Sequence, residues 1–262
     1  MIDKKEFLLH SIIKAYIEHL EPIGSSQLKS MYDISYSSAT IRGYFKKLGD
    51  EGYLAKNHIS SGRTPTIDAL KEFWSNRLNF KLNFVNLESL KYFASQIGLC
   101  VFIKEEKIDL LNNILNIKDK YIILEFDSFS ITIEYSSALY RFLQDMVGFD
   151  ISYIIKISKQ VGAYELYTQV KDYLSKRGFN IINIKEFLKI SLDFNLDDIM
   201  INDFLKGDMV DRLDTNIYFE DLLPMGHIGI CHNCNIQGNN SKILVVGELS
   251  KNYEYFYERI SQ

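Results

Sequence analysis

The segment from Ser37 to Leu54, SSATIRGYFKKLGDEGYL, constrains the fold more than any other stretch of this chain. Ile41, Tyr44, Phe45 and Leu48 recur at i, i+3, i+4 and i+7, the spacing that places apolar side chains on one face of a helix. Ser37 stands where a hydroxyl would cap its start, and Asp50-Glu51-Gly52 reads as the turn that ends it. A helix with one apolar face must lay it on other elements, and the flanking sequence supplies them. Upstream, Phe7 to Leu20 carries a stripe of Leu9, Ile13, Tyr16, Ile17 and Leu20 that Pro22 and Gly24 end. Ser25 then reads as the cap of a short helix with Leu28, Met31 and Tyr32, closed by Asp33. Downstream, Tyr53 to Lys56 has strand character, His58 to Arg63 is a polar hairpin tip, and Thr64-Pro65-Thr66 is a return strand kept short by its proline. Helix, helix, helix and hairpin in this order predict a winged helix. Gly43 is out of pattern, because a glycine inside a helix costs about 1 kcal/mol relative to alanine.

The face opposite the apolar stripe shows Ala39, Arg42, Gly43 and Lys46, flanked by Thr40 and Lys47. In a helix-turn-helix such a face enters the major groove, where arginine pairs with guanine and hydroxyls reach phosphates or base edges. Gly43 would there remove bulk from a surface pressed against a base pair or a sugar-phosphate strand. The alternative is a solvated amphipathic helix whose glycine only bends it. The cationic hairpin beside the helix favours DNA, since His58, Ser60, Ser61 and Arg63 suit phosphate or minor-groove contact. The candidate DNA-binding residues are therefore Ser37, Ser38, Ala39, Thr40, Arg42, Gly43, Lys46 and Lys47 on the helix and those four on the hairpin.

The charge balance allows this without requiring it. The chain's net charge of −4 argues against a globally basic nucleic-acid coat. Residues 1–78 carry 11 Lys and Arg against 9 Asp and Glu, a balance of +2, whereas the remainder stands at −6. No apolar run approaches the roughly 18 residues that would span a bilayer, and MIDKKEFLL has neither an extended apolar region nor a cleavage site. Three cysteines cannot build a disulfide framework, and the odd count fits a reducing compartment. A cytoplasmic protein is expected.

Beyond a helix carrying Leu70, Phe73, Trp74 and Leu78, residues 79–86 read as a linker. Leu87 to Ile97 is helical, and Leu99 to Ile103, Tyr121 to Phe126 and Ser130 to Tyr135 have strand patterns. Residues from about 138 to 206 read mainly as helices. Strands then return at Ile217 to Phe219 and Ile243 to Val246, before a closing helix with Tyr253, Phe256 and Ile260. A sheet begun before a helical block and resumed after it suggests an insertion into one sheet domain. The expected division is 1–78, then 79–137 together with 214–262, interrupted by 138–213.

Other chemistry is sparse. Cys231-x-x-Cys234 with His227 and His232 offers weak zinc candidates in His227, Cys231 and Cys234, but zinc ribbons bring a second close pair and none is present. The plainer reading is two reduced cysteines at a strand end and loop; reversible disulfide chemistry is the other. There is no phosphate-cradling glycine loop, G-x-S-x-G elbow or H-E-x-x-H, and Asp193, Asp197, Asp198 and Asp203 read as a solvated face. Neither catalysis nor a cofactor is expected.

The runs EPIGSSQL, SSATIRGYFKKLGDEGYL and HISSGRTPT together resemble the N-terminal domain of the HrcA family, the heat-inducible transcription repressors of bacteria. The family's reading helix is similar to S-P-A-T-I-R-N-E-M followed by L-E-x-x-G-Y-L, and its hairpin to P-H-T-S-A-G-R-I-P-T. ILVVGELSKNYEY looks like the family's closing strand and helix. The resemblance implies an α+β chain: a winged helix-turn-helix, then a GAF-like α/β domain interrupted by a mainly helical dimerisation insert. It also implies a homodimer on the inverted-repeat operator called CIRCE upstream of chaperone operons, released on heat stress, with a GroEL-type chaperonin as modulator. Ser37, Ala39, Thr40, Ile41 and Arg42, with His58, Ser60, Gly62 and Arg63, match the family motifs. Ser38, Gly43, Tyr44 and Asn57 depart from them, standing where the family has Pro, Asn, Glu and Pro. The chain is shorter than a typical member, which points to a trimmed insert. The alternative is a winged-helix regulator whose GAF-like domain senses a small ligand, or senses redox state through Cys231 and Cys234.

Overall fold

The N-terminal elements follow from three caps and one shared core. Helix α1 (Lys4–His19) starts on Asp3, whose carboxylate accepts from the Lys5 amide at 3.2 Å. Helix α2 (Ser25–Met31) is capped at Gly24 and not at Ser25: the Gln27 side chain accepts from the Gly24 amide at 3.2 Å, making Ser25 the first helical residue. Helix α3 (Ser38–Asp50) is capped by Ser37, whose Oγ accepts from the Thr40 amide at 3.1 Å. Strands β1 (Leu54–Ala55) and β2 (Thr64–Pro65) pair antiparallel, with Leu54 opposite Pro65. Leu8, Ile12, Leu28, Ile41, Phe45, Leu48 and Leu54 form the core beneath them, and Tyr44 packs at its edge, only partly buried. The computed structural model describes residues 3–56, 62–78, 84–105, 108–176 and 178–261; the hairpin candidates His58, Ser60 and Ser61 lie outside the described residues.

The chain continues through α4 (Ile67–Arg77), β3 (Phe84–Val85), α5 (Leu87–Ile97) and β4 (Cys100–Glu105). A separate unit follows: β5 (Leu111–Ile117), β6 (Tyr121–Phe126), β7 (Ser130–Glu134), α6 (Ser137–Gln144), α7 (Ile151–Gln160) and α8 (Tyr164–Lys176). The return runs through β8 (Phe179–Ile182), α9 (Ile184–Asp193), α10 (Asp198–Lys206), α11 (Asp208–Arg212), β9 (Asn216–Tyr218), β10 (His227–Ile236), β11 (Asn239–Glu248) and α12 (Tyr253–Ile260).

The larger sheet has the order β3-β10-β11-β4-β8, with β9 also paired to β10. Its centre is the β10–β11 hairpin of two ten-residue strands, in register from His227 opposite Glu248 to Ile236 opposite Asn239. One face is covered by α4, α5 and α12, through Phe73, Trp74, Leu90, Ala94, Tyr253, Phe256 and Ile260. The other is covered by α9, α10 and α11, through Phe187, Ile190, Phe204 and Val210. Coverage on both faces explains the near-continuous apolar runs of β4 and β11.

Two expectations are corrected here. Within the candidate linker, Phe84–Val85 is a strand, paired parallel to Asn235 and Ile236 of β10. A two-residue edge strand has too little sequence to show a period. The expected insert is also relocated. Strands β5–β7 form their own antiparallel sheet, sharing no ladder with the larger one among the described residues, over a core of Leu111, Ile122, Leu124, Ile131 and Ile133 with Leu143, Ile154, Leu166 and Val170 from α6–α8. The interruption thus covers 108–176 rather than 138–213 and is α+β rather than mainly helical, while α9–α11 belong against the larger sheet. Local alternation reveals a strand, but not which sheet completes its hydrogen bonds. Strand β5 escapes the pattern altogether because it is mostly exposed, with Asn112, Asn113 and Asn116 breaking the alternation.

Candidate nucleic-acid interface

Seven of the eight helix candidates, Ser37, Ala39, Thr40, Arg42, Gly43, Lys46 and Lys47, are exposed on one side of α3 or at its cap; Ser38 is half-buried. The inward anchors Ile41, Phe45 and Leu48 are buried, so the core holds the helix and leaves the opposite face to solvent. Hydroxyls gather at its N-terminal end. Ser37 Oγ lies 2.9 Å from Thr40 Oγ1, and Ser26 Oγ of α2 donates to Ser38 Oγ at 3.4 Å, linking the two helices. A Cβ on Gly43 would meet nothing within 4 Å. Packing among the described residues therefore makes no demand for glycine at that position.

Arg63 reaches the same surface through the backbone. Ile23 and Arg63 exchange two amide-to-carbonyl hydrogen bonds of 2.9 Å, which tie the returning ribbon strand to the loop before α2. Gly62 is the residue that permits this approach, since a Cβ there would lie 2.5 Å from the Ile23 carbonyl carbon. Its sequence neighbours suggest a flexible tip; close backbone contact explains it better. Arg42 and Arg63 line one cleft between α2, α3 and the ribbon. Lys56 lines it as well. In sequence Lys56 is only the end of a strand, and the one available signal is a cation just before the hairpin tip.

This helical head is packed onto the larger sheet. Trp74 Nε1 donates to the Leu249 carbonyl at 2.8 Å, and the indole meets the Tyr253 ring edge-on at 5.2 Å. Arg77 pairs with Glu254 at 2.5 Å, Lys14 with Glu254 at 3.4 Å and Lys71 with Glu220 at 2.6 Å. Ile13 and Ile17 of α1 share a core with Tyr253, Phe256 and Ile260 of α12.

The structure disperses the His227 to Cys234 constellation. All of it lies within β10, not at a strand end and loop. Residues three apart in a strand point to opposite faces. Cys231 joins the core under α9–α11, and Cys234 the one under α5 and α12. The sheet thus stands between the two thiols, which rules out both a mutual disulfide and a shared metal. Burial pushes Cys231 up to about 11 and Cys234 and Cys100 up to about 12, so all three are protonated and poor nucleophiles at neutral pH. The His227 ring packs edge-on against Phe194 at 5.1 Å. Burial lowers the pKa of His232, whose Nε2 lies 3.2 Å from the Tyr257 hydroxyl. Among the described residues, no group of three or more His, Cys, Asp or Glu side chains could hold a metal ion, and no helix is long and apolar enough to cross a membrane.

The arrangement defines a class: a mixed α/β chain in which a small helical head, presenting a cationic and hydroxyl-bearing helix face, is packed onto a two-faced sheet. The profile of the HrcA C-terminal domain matches residues 74–262. The heat-inducible transcription repressor HrcA of Helicobacter pylori strain J99 is 31% identical over 265 residues, covering 100% of this chain and 96% of that protein. The protein of the same name from Chlamydia muridarum is 51% identical over 63 residues, 24% of this chain and 16% of its own. The chain belongs to the HrcA family. Its fold is also similar to that in the crystal structure of a hypothetical protein, with a TM-score of 0.50 at 18% identity, covering 100% of this chain and 96% of that one.

Proposed function

We propose that this chain is a sequence-specific DNA-binding repressor of heat-shock chaperone genes, acting as a homodimer on an inverted-repeat operator of the CIRCE type. The observation that carries the reading is the exposed side of α3, where Thr40, Arg42, Lys46 and Lys47 stand free of the core and Arg42 shares a cleft with Arg63, in a member of a family of heat-inducible repressors. In this reading residues 1–78 are a winged-helix head, with α3 in the major groove and the ribbon against the adjacent backbone. Residues 84–105 and 178–261 form a GAF-like domain, and 108–176 the dimerisation insert. The role is regulatory and not enzymatic.

Heat control follows from how the head is held. Trp74, Arg77 and Lys14 fasten it to α12 and to the turn after β11, so warming that loosens the sheet also frees the head from the geometry that sets half-site spacing. A chaperonin that refolds the sheet domain would restore the competent dimer. Redox release through Cys231 and Cys234 is not favoured, because their side chains enter different cores.

Footprinting on chaperone promoters at two temperatures, with and without chaperonin, tests the reading. Protection of an inverted repeat at the lower temperature, lost on warming, is expected; no protected site under any condition would defeat it. Arg42→Ala is expected to weaken operator binding by about 1–3 kcal/mol, the range of one base contact, with little change in melting temperature. An unchanged affinity would remove Arg42 from the reading surface.

A further inference from the structure

The cleft between α2, α3 and the ribbon has a volume of about 590 Å³ and is lined by Ser25, Ser26, Arg42, Lys56 and Arg63, among others, with no carboxylate among the described residues of its wall. Four other cations of residues 1–78 are matched to acids: Lys5 to Glu51 at 2.9 Å, Lys71 to Glu220, and both Arg77 and Lys14 to Glu254. Among the described residues, Arg42, Lys56 and Arg63 make no such pair. Their positions are set by three different elements. Arg42 is on α3, Lys56 directly follows β1, and Arg63 directly precedes β2, where its backbone is fixed to Ile23. Three cations without an acid partner that line one concavity together with the hydroxyls of Ser25 and Ser26 suit a compact anion bearing several acceptor oxygens.

Resting on the DNA-binding reading, we infer that this cleft clamps one phosphodiester of the operator backbone, with Lys56 as the main phosphate ligand and Ser26 and Arg63 at its sides. The division of labour on the head follows. The α3 face reads bases, whereas the cleft fixes the register of α3 along the groove without sequence preference. Lys56 is exposed and takes no part in the core, so its replacement leaves the fold intact. Removing the cation that neutralises one phosphate makes the slope of log affinity against log salt shallower by about 0.9.

The test measures binding of the full chain to two duplexes of equal length, one carrying the family inverted repeat and one scrambled, across a salt series. Lys56→Ala is expected to weaken both by the same factor and to lower the salt slope by about 0.9 per half-site, while Lys56→Arg restores both. Arg42→Ala is expected to penalise the repeat more than the scrambled duplex. Single methylphosphonate substitutions along the repeat should identify one phosphate whose neutralisation weakens the wild type but not Lys56→Ala. If the wild type binds the repeat and Lys56→Ala matches it in affinity and slope, the clamp is overturned and the DNA-binding reading survives. If Lys56→Ala loses affinity for inorganic phosphate, titrated alone, yet keeps its affinity for both duplexes, the cleft is a free-anion site and the clamp is equally overturned. A wild type that binds neither duplex would remove both readings.

Discussion

The backbone of Gly62 runs against that of Ile23 so closely that a Cβ on Gly62 would lie 2.5 Å from the Ile23 carbonyl carbon and 2.6 Å from the Pro22 carbonyl carbon. These are backbone atoms, which cannot rotate out of the way as a side chain can. Gly62→Ala must therefore break the paired Ile23–Arg63 hydrogen bonds or move the whole ribbon. The expected outcome is a loss of about 1–3 kcal/mol, the usual range for overpacking, read by denaturant unfolding, with weakened DNA binding as Arg63 leaves the cleft. A Gly62→Ala protein as stable as the wild type would show that the ribbon is free to shift.

Gly43 is the opposite case, since among the described residues nothing within 4 Å would meet a Cβ there. Gly43→Ala is expected to stabilise the protein by up to about 1 kcal/mol, the helix-propensity difference between the two residues, in thermal melts without DNA. Gly43→Asn restores the residue that the family resemblance places there, and asparagine can pair bidentately with adenine. Binding-site selection should then give different preferred operators for the wild type and Gly43→Asn. Identical selected sequences would leave Gly43 without a role in specificity.

The bond from Trp74 Nε1 to the Leu249 carbonyl joins positions 175 residues apart in sequence. Trp74→Phe keeps an aromatic ring but leaves a buried carbonyl unpaired, at an expected cost of about 1–3 kcal/mol. Because that carbonyl lies between head and sheet, operator release should move to lower temperature in step with the melting temperature. A fall in melting temperature with unchanged release temperature would disconnect the junction from heat control.

The thiols are expected to be inert in the folded protein. With Cys231 pushed up to about 11 and Cys234 to about 12 by burial, the thiolate fraction at neutral pH is negligible. A thiol reagent should label them only as fast as the protein unfolds, and mild oxidants should leave operator binding unchanged. An intramolecular Cys231–Cys234 disulfide found in the native protein by mass spectrometry would contradict the strand geometry.

The head was legible in the sequence because its signals are local. A hydroxyl at Ser37, an apolar stripe from Ile41 to Leu48 and a left-handed Gly52 with φ of +85° each act within a few residues of the chain, and the structure has all three. The outward set from Ala39 to Lys47 was readable for the same reason, as the complement of that stripe. Lys56 was not, because a cation at a strand end acquires meaning only when α2 and α3 stand opposite it. The Cys231-x-x-Cys234 spacing misled in the other direction. It suggests proximity along the chain, whereas strand geometry separates the two side chains by the thickness of a sheet.

By itself, then, the sequence determined which segments are helices in the head, which of their faces turn outward, and the family to which the chain is similar. Tertiary structure decided the sheet memberships, the unit at 108–176, the close passage of Gly62 past Ile23 and the docking of Trp74 on Leu249. The physical reason is the range of the interactions. Caps and helical periodicity are satisfied within one or two turns, while a β-ladder, a backbone crossing or a shared core is completed by residues that only the folded chain brings together.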